Sequence, residues 1–181
     1  MDIKNYNEVA IIEESKKDPK AFEAIYNRYF DQIFHFIGKR LKDEETAFDI
    51  VQQVFFKALT HLGSYKHKGS PFSSFLYRIA INECNQHFRA SKNIRHISID
   101  ETSVNPISDN PISGSEDHLL PHLTKALQKL KNEELFLIEL RFFEQRSIRE
   151  VAEMNGISEN NCKVKLHRVI KKLRKEVKHE E

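Results

Sequence analysis

The chain has 181 residues, 39% of them hydrophobic, and a formal net charge of only +2. This near balance argues against a uniformly basic, histone-like protein and against an acidic solvating tail. Five glycines and five prolines supply too few turn residues for a β-sandwich or β-barrel, so we expect an all-α fold.

The N-terminal residues 1–92 are predicted to form a compact helical bundle. Asp18-Pro19 and Ser70-Pro71 are helix-start signals, in which Pro occupies the first helical position. Apolar residues follow these signals at three- and four-residue spacing. The predicted helices cover residues 8–17, 18–41 and 43–62, and a further helix runs on from residue 70.

Residues 93–117 differ in composition from both flanks. They carry one basic and five acidic groups, whereas residues 1–92 carry 14 basic and 12 acidic groups and residues 118–181 carry 14 and 10. The segment is rich in Ser, Asn and Pro and has no helical period. We therefore predict a flexible acidic linker that joins two small helical domains, 1–92 and 118–181.

The C-terminal domain is predicted to end in a helix-turn-helix. Ser147 and Glu150 have the capping-box spacing of a short helix, and Gly156 predicts the turn that follows it. The other predicted caps are Asp117, Asn132 and Ser158. The apolar stripe expected on the last helix is Cys162, Leu166, Val169, Ile170, Leu173 and Val177.

The last predicted helix is strongly basic. Seven basic residues and one acid lie between Glu159 and Lys175. A helix-turn-helix places such a helix in the major groove, where Lys and Arg neutralise phosphates, although cations near a helix C-terminus also suit a merely solvated helix. The candidate DNA contacts are Ser158, Asn160, Asn161, Lys163, Lys165, Arg168, Lys171 and Lys172. For His167, base contact and solvated surface are equally open.

The helix that begins near residue 70 has a regular polar side. Its members are Arg78, Asn82, Asn85, Gln86 and Arg89. Amides and guanidinium groups together suit bases and phosphates. The preceding loop combines an aromatic residue with cations, as in sites that hold an unstacked base. Its candidate residues are Tyr65, Lys66, His67, Lys68 and Ser70. An ordinary hydrated helix face and turn explain both sets equally well.

The helix over residues 43–62 has a second stripe, beside its apolar face. The stripe consists of Asp49, Gln52, Gln53 and Phe56. An apolar ring among polar neighbours indicates a protein partner, although single exposed aromatic residues are common.

Three motifs follow one another along the chain: AFDIVQQVF at 47–55, FSSFLYRIAIN at 72–82 and ISENNCKVKLHR at 157–168. In this order they resemble the motifs of bacterial RNA polymerase sigma factors, in the extracytoplasmic-function group of the sigma-70 family. The resemblance implies that residues 1–92 are region 2, which binds the clamp helices of core polymerase through the Asp49 helix. The same region would read and melt the −10 promoter element, with Phe75 in a stacking or packing role. Residues 118–181 would be region 4, whose last helix, Val164 included, reads the −35 element while Arg141 assists at the DNA backbone.

The resemblance also implies the partners. These are core RNA polymerase and promoter DNA, and the acidic linker would thread through the polymerase toward the RNA exit path. Anti-sigma factors are common partners in the family, but no residue here identifies one. Four positions depart from the usual pattern: Gln53 replaces Glu, Phe75 replaces Trp, Asn85 replaces Asp and Val164 replaces a small polar residue.

Two other functions stay open. One is a stand-alone helix-turn-helix regulator whose N-terminal bundle senses a ligand or dimerises, and the other is a DNA-processing enzyme such as a recombinase or nuclease. An enzyme needs a catalytic constellation, and the sequence has no HExxH, paired-carboxylate metal motif, Gly-rich phosphate loop or Ser nucleophile motif. We therefore expect no catalytic residue, metal, cofactor or small-molecule substrate. The Asp49 stripe and the Arg78 face favour the sigma factor over the regulator.

The sequence also bounds the compartment. Cys84 and Cys162 lie far apart and form no CxxC pair or disulfide framework. No apolar run approaches the roughly 18 residues of a membrane span, and the first residues lack a signal-peptide pattern. We expect a cytoplasmic protein without membrane insertion.

Overall fold

The computed structural model describes residues 7–41, 43–67, 69–91 and 116–178. In these ranges it contains helices and no strand, which confirms the predicted all-α class. The chain divides into two compact units, Met1–Asn93 and Ile94–Glu181, and each is described by itself. The part of the predicted linker that precedes Glu116 lies outside the described residues.

The first unit contains four α-helices in its described residues. They are α1 (Glu8–Ser15), α2 (Glu23–Gly38), α3 (Glu44–Thr60) and α4 (Phe72–Ser91). Asp18 caps a 3-10 turn, Pro19–Phe22, that leads into α2. The N–H of Thr46 donates to Asp43 Oδ2 at 2.8 Å and so caps α3. These two predicted helix starts are confirmed.

The start of α4 differs from the prediction. The helix begins at Phe72, so Pro71 lies just before it and Ser70 does not cap it. The Phe72 N–H instead donates to Glu8 Oε2 at 3.0 Å. A carboxylate from α1, distant in sequence, therefore provides the acceptor that the local sequence lacks.

The core of the first unit forms where the apolar stripes of α2, α3 and α4 meet. Ile33, Val51 and Leu76 are fully buried, one from each helix. Tyr77 is also fully buried, and its hydroxyl accepts a hydrogen bond from Gln32 Nε2 at 3.1 Å. The core of the first unit thus lies between these three helices.

The second unit also contains four α-helices within residues 116–178. They are α5 (Glu116–Gln128), α6 (Asn132–Ile138), α7 (Ile148–Met154) and α8 (Glu159–Lys178). A π-helical turn, Glu139–Phe143, continues α6. Asp117 lies inside α5 and Asn132 is the first residue of α6, so neither is the cap that we predicted. Ser147 forms the predicted capping box with Glu150.

The turn between α7 and α8 has the hydrogen bonds of a Schellman motif. The Ile157 N–H donates to Ala152 O at 2.9 Å and the Gly156 N–H donates to Glu153 O at 3.0 Å. Gly156 has a φ of 65°, a conformation that glycine adopts without a Cβ clash. The Ser158 hydroxyl then accepts the Asn161 N–H at 3.3 Å and caps α8. The predicted helix-turn-helix is confirmed.

Among the described residues, no helix is both long enough and apolar enough to cross a membrane.

Candidate nucleic-acid and polymerase interfaces

One face of α8 is exposed and combines cations with amides. Cys162, Leu166, Val169 and Leu173 are buried on the opposite face. Because an α-helix has 3.6 residues per turn, most of the residues between these four lie on the exposed side of α8. The exposed members of the predicted set are Ser158, Asn160, Asn161, Lys163, Val164, His167, Arg168 and Lys171. Val164 is 48% exposed, which leaves an apolar side chain in the middle of this face.

Two predicted contacts on α8 lie at the edge of that face. Lys165 and Lys172 are half-buried. Lys172 Nζ donates to Glu134 Oε2 at 2.8 Å, so its charge already has a carboxylate partner on α6. Burial would raise the pKa of Glu134, but hydrogen bonds from Lys172 and from the Lys131 N–H outweigh it and lower that pKa. A phosphate would have to compete with Glu134 for Lys172.

Arg141 lies in the π-helical turn and is half-buried. Its Nη1 donates to Arg146 O at 2.9 Å, which ties the turn to the chain segment before α7. Burial raises the pKa of the nearby Cys162 thiol, while the charges of Lys165 and Arg141 oppose that rise.

The polar side of α4 is turned outward in the first unit. Arg78, Asn82, Gln86 and Arg89 are exposed, and Asn85 is half-buried. Beside them, Lys57 Nζ contacts both carboxylate oxygens of Glu83 at 2.6 and 2.7 Å and links α3 to α4. The five predicted side chains thus lie on one side of one helix.

The segment before α4 packs through aromatic rings. The Tyr65 ring lies 5.0 Å from the Phe72 ring and 5.0 Å from the Phe75 ring, measured between centroids. Tyr65 and Phe75 are both half-buried, so each keeps some surface open.

The other residues that were predicted to contact DNA in this segment differ in their exposure to solvent. Lys66 and His67 are exposed. Ser70 is only 4% exposed, so it offers little surface for the predicted DNA contact. Lys68 lies outside the described residues.

The stripe on α3 is exposed and includes a large ring. Phe56 is 66% exposed, and Asp49 and Gln53 are exposed beside it. Gln52 is half-buried, and its Nε2 donates to the Tyr26 hydroxyl at 3.0 Å.

The sequence prediction did not include two side chains on these faces. Phe48 is 46% exposed, one helical turn before Gln52, and its ring lies 6.1 Å from that of Phe30. Lys175 is exposed one turn after Lys171 on α8. The four-residue spacing within each helix is the signal that identifies both.

The described part of the chain contains no cluster of three His, Cys, Asp or Glu side chains suited to a metal ion.

Two family models match the chain. Sigma-70 region 2 matches residues 25–94, and Sigma-70, region 4 matches residues 122–173. Together they cover both units that carry the exposed faces described above.

Curated relatives agree with these models. RNA polymerase sigma factor YlaC of Bacillus subtilis is 30% identical over 88% of this chain and 93% of that protein. RNA polymerase sigma factor SigV of the same organism is 31% identical over 74% of this chain and 77% of SigV. ECF RNA polymerase sigma factor BldN of Streptomyces coelicolor is 27% identical over 84% of this chain, which spans 59% of the length of BldN.

Two solved structures share the fold. CnrH, in complex with the cytosolic domain of CnrY, superposes with a TM-score of 0.62 at 17% identity and covers 95% of this chain and 97% of that one. RpoE of Bartonella quintana, in complex with the anti-sigma factor NepR, superposes with a TM-score of 0.58 at 22% identity. This match covers 88% of this chain and 98% of the RpoE chain. Because both models match in the order of the two units and the relatives span most of the chain, this protein belongs to the extracytoplasmic-function group of the sigma-70 family of RNA polymerase sigma factors.

Proposed function

We propose that this protein binds core RNA polymerase and directs it to promoters, with residues 1–92 on the polymerase and the −10 element and residues 118–181 on the −35 element. The observation that carries this proposal is the pair of exposed faces in the first unit. One is the apolar and acidic stripe of α3, and the other is the amide and guanidinium face of α4. A regulator that only binds DNA needs no separate stripe of the first kind.

The −35 element is the proposed ligand of α8. Arg168 and Lys171 are exposed where a recognition helix meets DNA, and Asn160 lies near the N-terminal end that reaches base edges. Val164 suits contact with a thymine methyl group. At the edge of this interface lie Lys165, Lys172 and Arg141. We propose that they contact the phosphate backbone of the DNA.

The −10 element is the proposed ligand of α4 and the residues before it. Amides at Asn82, Asn85 and Gln86 both donate and accept hydrogen bonds, as base edges require. Arg78 and Arg89 flank them with charge for phosphates. The half-buried rings of Tyr65 and Phe75 offer a surface on which an unstacked base can lie.

The clamp helices of core polymerase are the proposed partner of the α3 stripe. Phe56 would enter an apolar site on the clamp, with Asp49 and Gln53 as polar neighbours. Phe48 extends the same exposed side of α3. Gln52 would act mainly by holding Tyr26, to which its amide is hydrogen-bonded.

Three further assignments follow from family membership. An anti-sigma factor is the proposed regulatory partner, since RpoE of Bartonella quintana forms a complex with one. The protein would act in the cytoplasm, with the polymerase. It would contribute binding and no catalytic residue of its own, because the polymerase performs the chemistry.

Transcription with purified core polymerase tests the proposal. The protein and core enzyme are mixed with genomic fragments, and the 5′ ends of the transcripts are mapped. We expect initiation at sites that share two sequence elements, and none with core enzyme alone. The proposal fails if the protein neither associates with core enzyme nor initiates transcription. If such a protein still binds duplex fragments by itself, the stand-alone regulator replaces the proposal.

A further inference from the structure

Helix α1 and Lys16, the residue that follows it, contact Tyr65 and the first residue of α4 through two side chains. The Phe72 N–H donates to Glu8 Oε2 at 3.0 Å, and Lys16 Nζ donates to Tyr65 O at 3.0 Å. The other carboxylate oxygen of Glu8 accepts the Tyr29 hydroxyl from α2. Glu8 at the start of α1 and Lys16 directly after its end thus hold the first residue of α4 and the Tyr65 backbone at the same time.

The start of α4 depends on Glu8 for a physical reason. The first N–H groups of a helix have no acceptor within the helix, and a side-chain oxygen of the preceding residue usually provides one. Here the preceding residue is Pro71, which has no such oxygen. The Glu8 carboxylate takes that role from 64 residues away, and its charge also suits the positive end of the helix dipole.

Lys16 fixes the other end of the same segment. It is mostly buried and also pairs with Glu13 at 2.6 Å. The Tyr65 carbonyl that it binds belongs to the residue whose ring packs on Phe72 and Phe75. Contacts from Glu8 and Lys16 therefore fix the backbone at both Phe72 and Tyr65, on either side of this aromatic cluster.

Helix α1 is itself firmly placed. Ile12, in its middle, is 1% exposed. The match to the sigma-70 region 2 family begins at residue 25, so α1 lies before the part of the chain that matches this family.

We propose that Glu8 and Lys16 are positioning residues for −10 recognition: they hold Tyr65, Phe72 and the start of α4 in the arrangement that receives promoter DNA. This inference rests on the proposed function. Neither residue belongs to the α3 stripe or to the second unit, so their loss should leave binding to polymerase and reading of the −35 element intact.

The test compares initiation on three templates, with holoenzymes reconstituted from core polymerase. One template is a promoter identified by the transcription mapping, the second has a substituted −10 element, and the third has a substituted −35 element. The ratio of initiation on the first template to that on the second measures −10 discrimination. The corresponding ratio with the third measures −35 discrimination.

Glu8→Ala and Lys16→Met each remove one of these hydrogen bonds. Both are expected to reduce −10 discrimination by about five-fold and to leave −35 discrimination unchanged. Glu14→Ala and Lys17→Met are the matched controls, since both residues are exposed near the end of α1. Lys16→Arg keeps the donor and should restore the ratio. If Glu8→Ala does not fold, as thermal unfolding would show, the Lys16 pair decides the question.

Two results would overturn the inference. An unchanged −10 ratio in the folded variants would show that the contacts do not position the reading surface. An equal fall of both ratios would show a general loss of structure. Wild-type protein that initiates at no promoter would instead refute the proposed function itself.

Discussion

Replacement of Phe56 by Ala tests the polymerase surface of α3. Two-thirds of the Phe56 residue is exposed in the free protein. A phenylalanine side chain that becomes buried removes on the order of 200 Å² from water, so the part still to be buried is about 130 Å². At about 25 cal/mol per Å² this is worth about 3 kcal/mol, of which Ala keeps a small part. We expect the Kd for core polymerase to rise by roughly 30- to 150-fold.

Competition between labelled wild-type protein and the Phe56→Ala variant for core polymerase measures this change. The ring contributes little to the free fold because it is exposed, so the free energy of unfolding should change by less than about 0.5 kcal/mol. Val9→Ala is the matched control, since Val9 is an exposed apolar residue on α1. A Kd within about two-fold of wild type, in a variant of normal stability, would refute the assignment of Phe56 to the interface.

Three further predictions concern the second unit. Arg168→Ala should weaken binding to the −35 element by about 1–3 kcal/mol and relax the preference at one base pair, as a base contact requires, whereas Lys165→Ala should weaken binding to all DNA sequences about equally, as a phosphate contact does. Binding titrations on −35 and unrelated DNA distinguish the two, and an equal loss on both for Arg168→Ala would contradict its role in base reading. Val164→Ser should change the preference at one base pair of the −35 element, and selection from a randomised element would detect it; an identical consensus would exclude Val164 from base reading. The pKa of Glu134 is lowered from its usual value of 4.5, so its ion pair with Lys172 stabilises the fold above that pH and this contribution disappears as the pH falls through the lower folded pKa. Glu134→Gln should therefore make unfolding less pH-dependent in the acid range, and an unchanged acid transition would contradict this.

The helix-turn-helix could be predicted from sequence because its determinants are local. The capping box of Ser147 and Glu150 and the turn at Gly156 each depend on residues within one or two helical turns. Helical periodicity then assigns the buried and exposed sides of α8, since each side repeats every three or four residues. The same rule, applied one turn further, would have included Phe48 and Lys175.

The start of α4 could not be predicted in the same way. Ser70-Pro71 has the local pattern of a helix start, but the acceptor for the Phe72 N–H comes from Glu8. A contact between residues 64 positions apart leaves no trace in a local pattern. The partner of Lys172 is similar, because Glu134 meets it only after α6 and α8 pack together.

The near-zero net charge fits a protein that must distinguish promoters from other DNA. Attraction between cations and phosphates is independent of sequence, so cations spread over the whole surface would favour any DNA equally. Here the densest run of cations lies on α8, whereas α3 begins with Glu44 and Glu45 and exposes Asp49. Phosphate attraction is thus strongest where Asn160 and Val164 can also meet base edges, and base contacts are the ones that carry sequence information. The total of +2 is therefore compatible with strong DNA binding, because the arrangement of the charges matters more than their sum.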